Sequence, residues 1–139
     1  MLRQSSTVLA IRASRPGLHE FTDCVREFVA DSGFHQGLLT LFCRHTSASL
    51  VIQEKADPAA RRDLEAYFER LAPESADYEH DDEGPDDMPA HLRTALTATQ
   101  LSIPIRGGRL ELGTWQGIFL FEHRNTTPER TIALHVMGE

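Results

Sequence analysis

Apolar and β-branched residues crowd Thr7–Ala13 (TVLAIRA), which predicts a first strand ended by the turn residues Arg15-Pro16-Gly17. The pattern then changes period. From Leu18, the apolar residues Phe21, Val25, Phe28 and Val29 recur at three- and four-residue steps, with Glu20, Asp23, Arg26 and Glu27 between them. This spacing predicts an amphipathic helix running to Gly33. Two runs follow that are too short for helices, Gly37–His45 (GLLTLFCRH) and Ser49–Glu54 (SLVIQE), and they predict two central strands joined or bent at His45–Ser49. Asp57-Pro58 supplies a helix cap followed by proline at the first helical position. Leu64, Tyr67, Phe68 and Leu71 then mark the buried stripe of a helix to Ala72. After a polar loop from Pro73 to Pro85, Asp86 or Asp87 can cap a shorter helix through Met88, Leu92 and Leu96, with Pro89 in its first turn.

The last third reads as four strands, Leu101–Ile105, Arg109–Leu112, Ile118–His123 and Thr131–Met137. Gly107-Gly108 marks a hairpin between the first two. Strands, then helices, then a run of strands is not regular βαβ alternation. The expected fold is therefore α+β, with packed mixed or antiparallel sheets in a sandwich-like arrangement flanked by about three helices. No internal repeat or linker interrupts residues 1–139, so one domain is expected.

Composition changes this picture little. Hydrophobic residues make up 40% and charged residues 25%, ordinary globular usage. No apolar run approaches the ~20 residues of a membrane span, and the start has only a short apolar stretch broken by Arg12. The reading is a cytoplasmic protein in which Cys24, on a helical pattern, and Cys43, on an apolar strand, are buried free thiols. Charge adds more. The net charge of -7 resides in Asp77–Asp87, which holds seven acids and no Lys or Arg. Elsewhere acids and bases balance one for one. A basic stripe with interleaved aromatics is missing, which argues against nucleic-acid and membrane-surface partners.

Several polar groups can carry chemistry. His45, Thr46, Ser47 and Ser49 follow an apolar strand and either form an anion-binding cluster or a turn that satisfies its own backbone. His45, His80 and His91 are candidate ligands for a divalent metal, zinc or magnesium, or else scattered surface histidines. No HExxH or CxxC spacing favours the first reading. Carboxylates beside His80 and His91, among them Asp86 and Asp87, can orient ligating imidazoles, hold magnesium through water or act as acid and base. Gly113, Trp115 and Gln116 place the only tryptophan at a strand junction, either to stack on a flat heterocycle or as a core or interface residue. Along Gly117–Arg124 the alternation puts Phe119, Phe121 and His123 on one face and Ile118, Leu120, Glu122 and Arg124 on the other. That separates Glu122 from His123 and leaves Glu122–Arg124 as a candidate ion pair.

Four segments in order, His45–Pro58 (HTSASLVIQEKADP), Tyr78–His91 (YEHDDEGPDDMPAH), Ile103–Arg124 (IPIRGGRLELGTWQGIFLFEHR) and Val136–Glu139 (VMGE), resemble the YjbQ family over most of the chain. The resemblance implies a small α+β fold, a homotrimer and a polar pocket. It also implies a secondary thiamine-phosphate synthase activity, which joins an aminopyrimidine diphosphate to a thiazole phosphate with loss of pyrophosphate. Carried over by position, His45, Thr46, Ser47, Asp86, Asp87 and Glu122 take catalytic roles. Ser49, Gly113, Trp115, Gln116 and Arg124 contact a small phosphorylated substrate, and His45, His80 and His91 hold the metal. The alternatives are another metal-assisted transfer or hydrolysis at the same pocket, or a non-catalytic ligand-binding oligomer. Lys55, where the family usually has asparagine, and Thr97–Gln100, in place of a small Gly-Ser stretch, depart from the pattern.

Overall fold

A computed structural model describes residues 1–139. The elements run β1 (Arg3–Ile11), β2 (Gly17–Glu20), α1 (Thr22–Ser32), β3 (Gly37–Cys43), β4 (Ala48–Glu54), α2 (Pro58–Leu71), α3 (Asp87–Leu96), β5 (Gln100–Arg106), β6 (Arg109–Leu110), β7 (Gln116–Glu122) and β8 (Arg130–Gly138). Two antiparallel sheets form, a five-stranded one in the order β1-β8-β3-β5-β6 and a three-stranded one in the order β2-β7-β4. This is an α+β fold with three helices, as the pattern predicts.

Alternation along the strands explains how the layers meet. Leu39 and Leu41 of β3, Ile103 and Ile105 of β5, and Ile132, Leu134 and Val136 of β8 share one face of the larger sheet. They pack against Leu50 of β4, Ile118 and Leu120 of β7, and Val25 and Val29 of α1. The opposite face of β7 presents Phe119 and Phe121, which join Leu18 of β2 and, from α2, Leu64 and Phe68. Strand β7 is covered on both faces, and that is why its sequence is almost continuously apolar. The outer face of the larger sheet has no helix over it, and Val8, Leu38, Phe42 and Met137 remain exposed there. In register, Leu38 lies opposite Met137, and both Val8 and Phe42 lie opposite Ala133, so these residues form one patch.

The sequence expectations need several corrections. Strand β1 begins at Arg3 rather than Thr7 because β8 pairs with it from Arg3 to Ile11. Leu18–Glu20 are not helical: they belong to β2, where β7 supplies their backbone partners, and α1 starts only at Thr22. Strands β3 and β4 lie in different sheets, so Arg44–Ser47 is a link between layers rather than a bend in one sheet. Strand β6 is cut to Arg109–Leu110 after a turn in which Gly107 and Gly108 have φ of 58° and 77°, a conformation suited to glycine. Asp57 caps α2 as predicted, its carboxylate accepting from the Ala59 N–H at 2.9 Å. Cys43 is buried and Cys24 is exposed, both as free thiols, so only one of the two is an inert core group. No helix is long and apolar enough to cross a membrane.

Candidate functional site

The site begins where the acidic loop meets the N-terminus of α3. Asp86 occupies the cap position but makes no capping hydrogen bond. Its Oδ2 instead accepts from Arg124 Nε at 2.9 Å and from the Asn125 N–H at 2.8 Å. Arg124 also donates through Nη1 to Asp87 Oδ1 at 2.5 Å and through Nη2 to the Glu83 carbonyl at 3.0 Å. One guanidinium therefore ties the loop to the helix start. Burial works against ionisation of Asp86 and Asp87. For Asp86 the Asn125 N–H and the Arg124 guanidinium outweigh it, and for Asp87 the contacts with His80, His91 and Arg124 do, so both carboxyls stay below the usual range. Arg124 in turn is raised by its bond to Asp86.

Asp87 Oδ2 receives two imidazoles, His80 Nε2 at 2.6 Å and His91 Nε2 at 3.0 Å. His91 reaches it because positions four apart share a helix face. The Thr46 carbonyl lies 2.8 Å from His91 Nδ1 and can only accept, so Nδ1 carries a proton. In neutral His91 the lone pair on Nε2 then points at a carboxylate oxygen. Two acceptors at 3.0 Å need positive charge between them, either a second ring proton or a cation. The ligand atoms of His80, Asp87 and His91 lie within 4.8 Å of one another. A tetrahedral ion with bonds of roughly 2.1 Å would space its ligands about 3.4 Å apart, so the donors fit such an ion with small adjustments. The Thr46 carbonyl on Nδ1 fixes the orientation of the His91 ring, a contact of the kind that metal-ligating histidines make. Glu83 Oε2 stands 3.2 Å from His80 Nε2, and a surface cavity of about 280 Å³ opens beside His80, bordered by Tyr78, Gly84 and Pro85. The bond to Asp87 raises the His80 pKa.

His45 lies outside this trio. Its Nε2 accepts from the Thr131 N–H at 2.8 Å, which places the ring proton on Nδ1 and leaves no free lone pair for a metal. Burial, followed by the Arg130 charge, lowers its pKa. Thr46 is exposed and Ser47 half-buried, and neither hydroxyl has a protein partner. Beneath them, Arg130 Nη2 donates to the Ser47 carbonyl at 3.0 Å, and its Nε donates to Glu122 Oε1 at 2.8 Å. Glu122 thus pairs with Arg130 and not with Arg124. From Arg124 it receives only the backbone N–H, at 3.1 Å. Its carboxylate is sealed inside.

The remaining candidates separate. Ser49 is buried, bonded to His123 Nε2 at 2.9 Å and to Thr97 Oγ1 at 2.6 Å. Thr97, one of the departures from the family pattern, therefore ties the end of α3 to β4. Gly113 and Gln116 satisfy each other, the Gly113 N–H donating to Gln116 Oε1 at 2.8 Å and the Gln116 N–H to the Gly113 carbonyl at 3.1 Å. Trp115 is 64% exposed, which excludes the core reading. This turn precedes β7 whereas Arg124 follows it, and the seven residues of β7, Gln116–Glu122, span roughly 20 Å. Within one chain, Gly113, Trp115 and Gln116 are therefore remote from the histidine group. Lys55 belongs to that remote end, its N–H donating to the Trp115 carbonyl. The sequence reading missed Arg130 and Thr131, which had no local signal, and took in Glu83 only as one of the acidic-loop carboxylates beside His80.

The family described as UPF0047 protein YjbQ-like matches residues 7–139. The UPF0047 protein sll1880 of Synechocystis sp. is 51% identical, with 99% of this chain and 94% of that protein covered. The UPF0047 protein YjbQ of Escherichia coli is 43% identical, with 94% and 96% covered. Among solved structures, a YbjQ-like protein of unknown function from Sulfolobus solfataricus has a TM-score of 0.93 at 26% identity over the whole of both chains. A conserved protein of the yjbq/upf0047 family from Clostridium acetobutylicum has a TM-score of 0.86 at 30% identity, with 94% and 98% covered.

Proposed function

The chain belongs to the YjbQ-like UPF0047 family, and we propose that it is a metal-dependent enzyme acting on a phosphorylated small molecule, with His80, Asp87 and His91 as the cation's ligands. The observation that carries this reading is the His91 Nε2–Asp87 Oδ2 contact at 3.0 Å, with the Nδ1 proton already committed to Thr46. Two imidazoles and one carboxylate favour zinc or a similar ion over magnesium, which prefers oxygen ligands and retains its waters. When bound, the ion supplies positive charge to the oxygens of a phosphorylated substrate and its leaving group. Arg124 sets the geometry, because it holds both Asp87 and the loop that delivers His80. In its most specific form the reaction is that of a secondary thiamine-phosphate synthase. A carbon–nitrogen bond forms between the aminopyrimidine methylene and the thiazole phosphate while the carbon–oxygen bond to pyrophosphate breaks.

The same reading includes a homotrimer in the cytoplasm. The uncovered patch of Val8, Leu38, Phe42 and Met137 supports an oligomer, since an apolar sheet face is normally covered. Two free thiols suit a reducing compartment. Metal analysis of the purified protein, light scattering, and an assay with both phosphorylated precursors test these points together. The expected result is one zinc-like ion per chain, a mass of three 15.6 kDa chains, and product formation that falls at least tenfold in folded His91→Ala. Product formation unchanged in that variant rejects the catalytic assignment, and a stable monomer rejects the trimer.

A further inference from the structure

We propose that the Arg44–Ser47 link is an anion-binding loop in which His45 acts as a neutral hydrogen-bond donor through Nδ1–H, receiving phosphate oxygens together with the Thr46 and Ser47 hydroxyls. The tautomer follows from the backbone. The Thr131 N–H points at Nε2 from 2.8 Å, so that nitrogen must accept, and the ring's one proton resides on Nδ1. Nδ1 has no protein partner and is not among the buried atoms left without one, so the donor faces solvent. A histidine held this way can neither ligate a metal nor take up a substrate proton without giving up the Thr131 contact. Its remaining capacity is to donate.

The rest of the loop is arranged to the same end. Its carbonyls are directed into the protein, that of Thr46 to His91 and that of Ser47 to Arg130. The hydroxyls of both residues are free, and Arg44 is exposed without a carboxylate partner. The buried Glu122, whose charge acts on His45, is matched by Arg130. The Thr46 carbonyl bond makes the loop contiguous with the histidine–aspartate group, so an anion on the loop lies beside the proposed cation. For that adjacency alone the inference rests on the metal reading; the donor assignment stands without it. Burial and the Arg130 and Arg44 charges disfavour the imidazolium, which keeps the ring neutral at physiological pH.

Inorganic phosphate is the probe, titrated into the full chain in metal-stripped and zinc-loaded forms and followed by nitrogen-15 NMR. Expected are a protonated Nδ1 and bare Nε2 on His45 near pH 7, with phosphate-dependent shifts at His45, Thr46 and Ser47. Ser47→Ala and Thr46→Val should each weaken phosphate binding several-fold. His45→Phe should weaken it about tenfold to a hundredfold, the range for losing a hydrogen bond to a charged group. Zinc affinity should stay unchanged in the two hydroxyl variants. An Nε2-protonated His45, or phosphate that moves no resonance of the loop in either form, overturns the proposal. If His45→Phe fails to fold because Thr131 loses its acceptor, the wild-type tautomer and the two exposed hydroxyl variants still decide it. Phosphate shifts at the loop with no zinc uptake reject the metal centre and leave the anion loop standing.

Discussion

Glu122 and Asp87 are both carboxylates nearly lost to solvent, 1% and 3% exposed, yet their surroundings differ in kind. Around Glu122 every contact is a donor: Arg130 through two nitrogens, and the Arg124 N–H. Around Asp87 the Arg124 guanidinium satisfies one oxygen, and two imidazoles crowd the other. Imidazoles donate there only if they carry enough protons, and His91 has already committed one to Thr46. A polar group with all its hydrogen bonds made inside the protein contributes structure. One that meets an imidazole nitrogen whose ring proton is already committed elsewhere, as Asp87 meets His91, has a place for a second ring proton or for a ligand. The contrast separates residues that hold the fold from the residues proposed to hold a cation, although the two clusters adjoin at the end of β7.

Removing one partner of the sealed pair should have the largest effect. Glu122→Ala leaves the Arg130 charge buried and unpaired, a change that costs about 3–5 kcal/mol. It also removes support from beneath Ser47. Urea unfolding of the metal-free protein should show that loss in full, and a change below about 1 kcal/mol would mean that the pair is not the structural element described.

The open cluster should respond the other way round. His80 lies on an exposed loop with its side chain 39% accessible, so His80→Ala should leave the unfolding free energy of the metal-free protein close to the wild-type value. Its zinc affinity should fall at least ~100-fold, the upper end of what losing an outer-shell contact costs. Competition against a chelating dye measures this. A variant that binds zinc as the wild type does would remove His80 from the ligand set and collapse the comparison.

Much of this was legible in the residues and some could not be. Helix α2 was readable because its signals are local, Asp57-Pro58 at the start and Leu64, Tyr67, Phe68 and Leu71 on one face. Strand β2 was not, since Leu18–Glu20 continue a helical spacing and become strand only through pairing with β7. His80, Asp87 and His91 could be named as candidates from the acidic run and the start of α3, and two of them are four residues apart on that helix. The anion-binding reading of His45 was open in the sequence, but its tautomer was hidden. It depends on the backbone N–H of Thr131, 86 residues away, and no side-chain identity reports that contact. Arg130 was likewise silent, because a single arginine before an apolar strand gives no sign that it will be buried against Glu122.

The smallest expected effect concerns pH and sets His123 against His80. His123 is 2% exposed, and burial, with Arg93 and Arg130 nearby, pushes its pKa down to about 3. The unfolded chain binds a proton there near pH 6.5. The stability contributed by keeping this ring neutral is therefore complete above about pH 6.5 and is lost as pH falls toward 3, with a slope near 1.4 kcal/mol per pH unit. His45, also lowered, acts in the same direction. His80 is raised by Asp87, so its contribution in the metal-free protein is complete below about pH 6.5 and is lost as pH rises through its folded value. Stability of the metal-free protein should peak near neutrality and fall on the acid side chiefly through a residue that no ligand touches. His123→Gln, which keeps an acceptor within reach of Ser49, should flatten the acid limb between pH 6.5 and 4.5 while leaving the alkaline limb in place. Unfolding midpoints measured across pH 4.5–8.5 decide it, because an acid limb of undiminished slope in that variant would move the titrating group out of the sealed interior and into the open cluster.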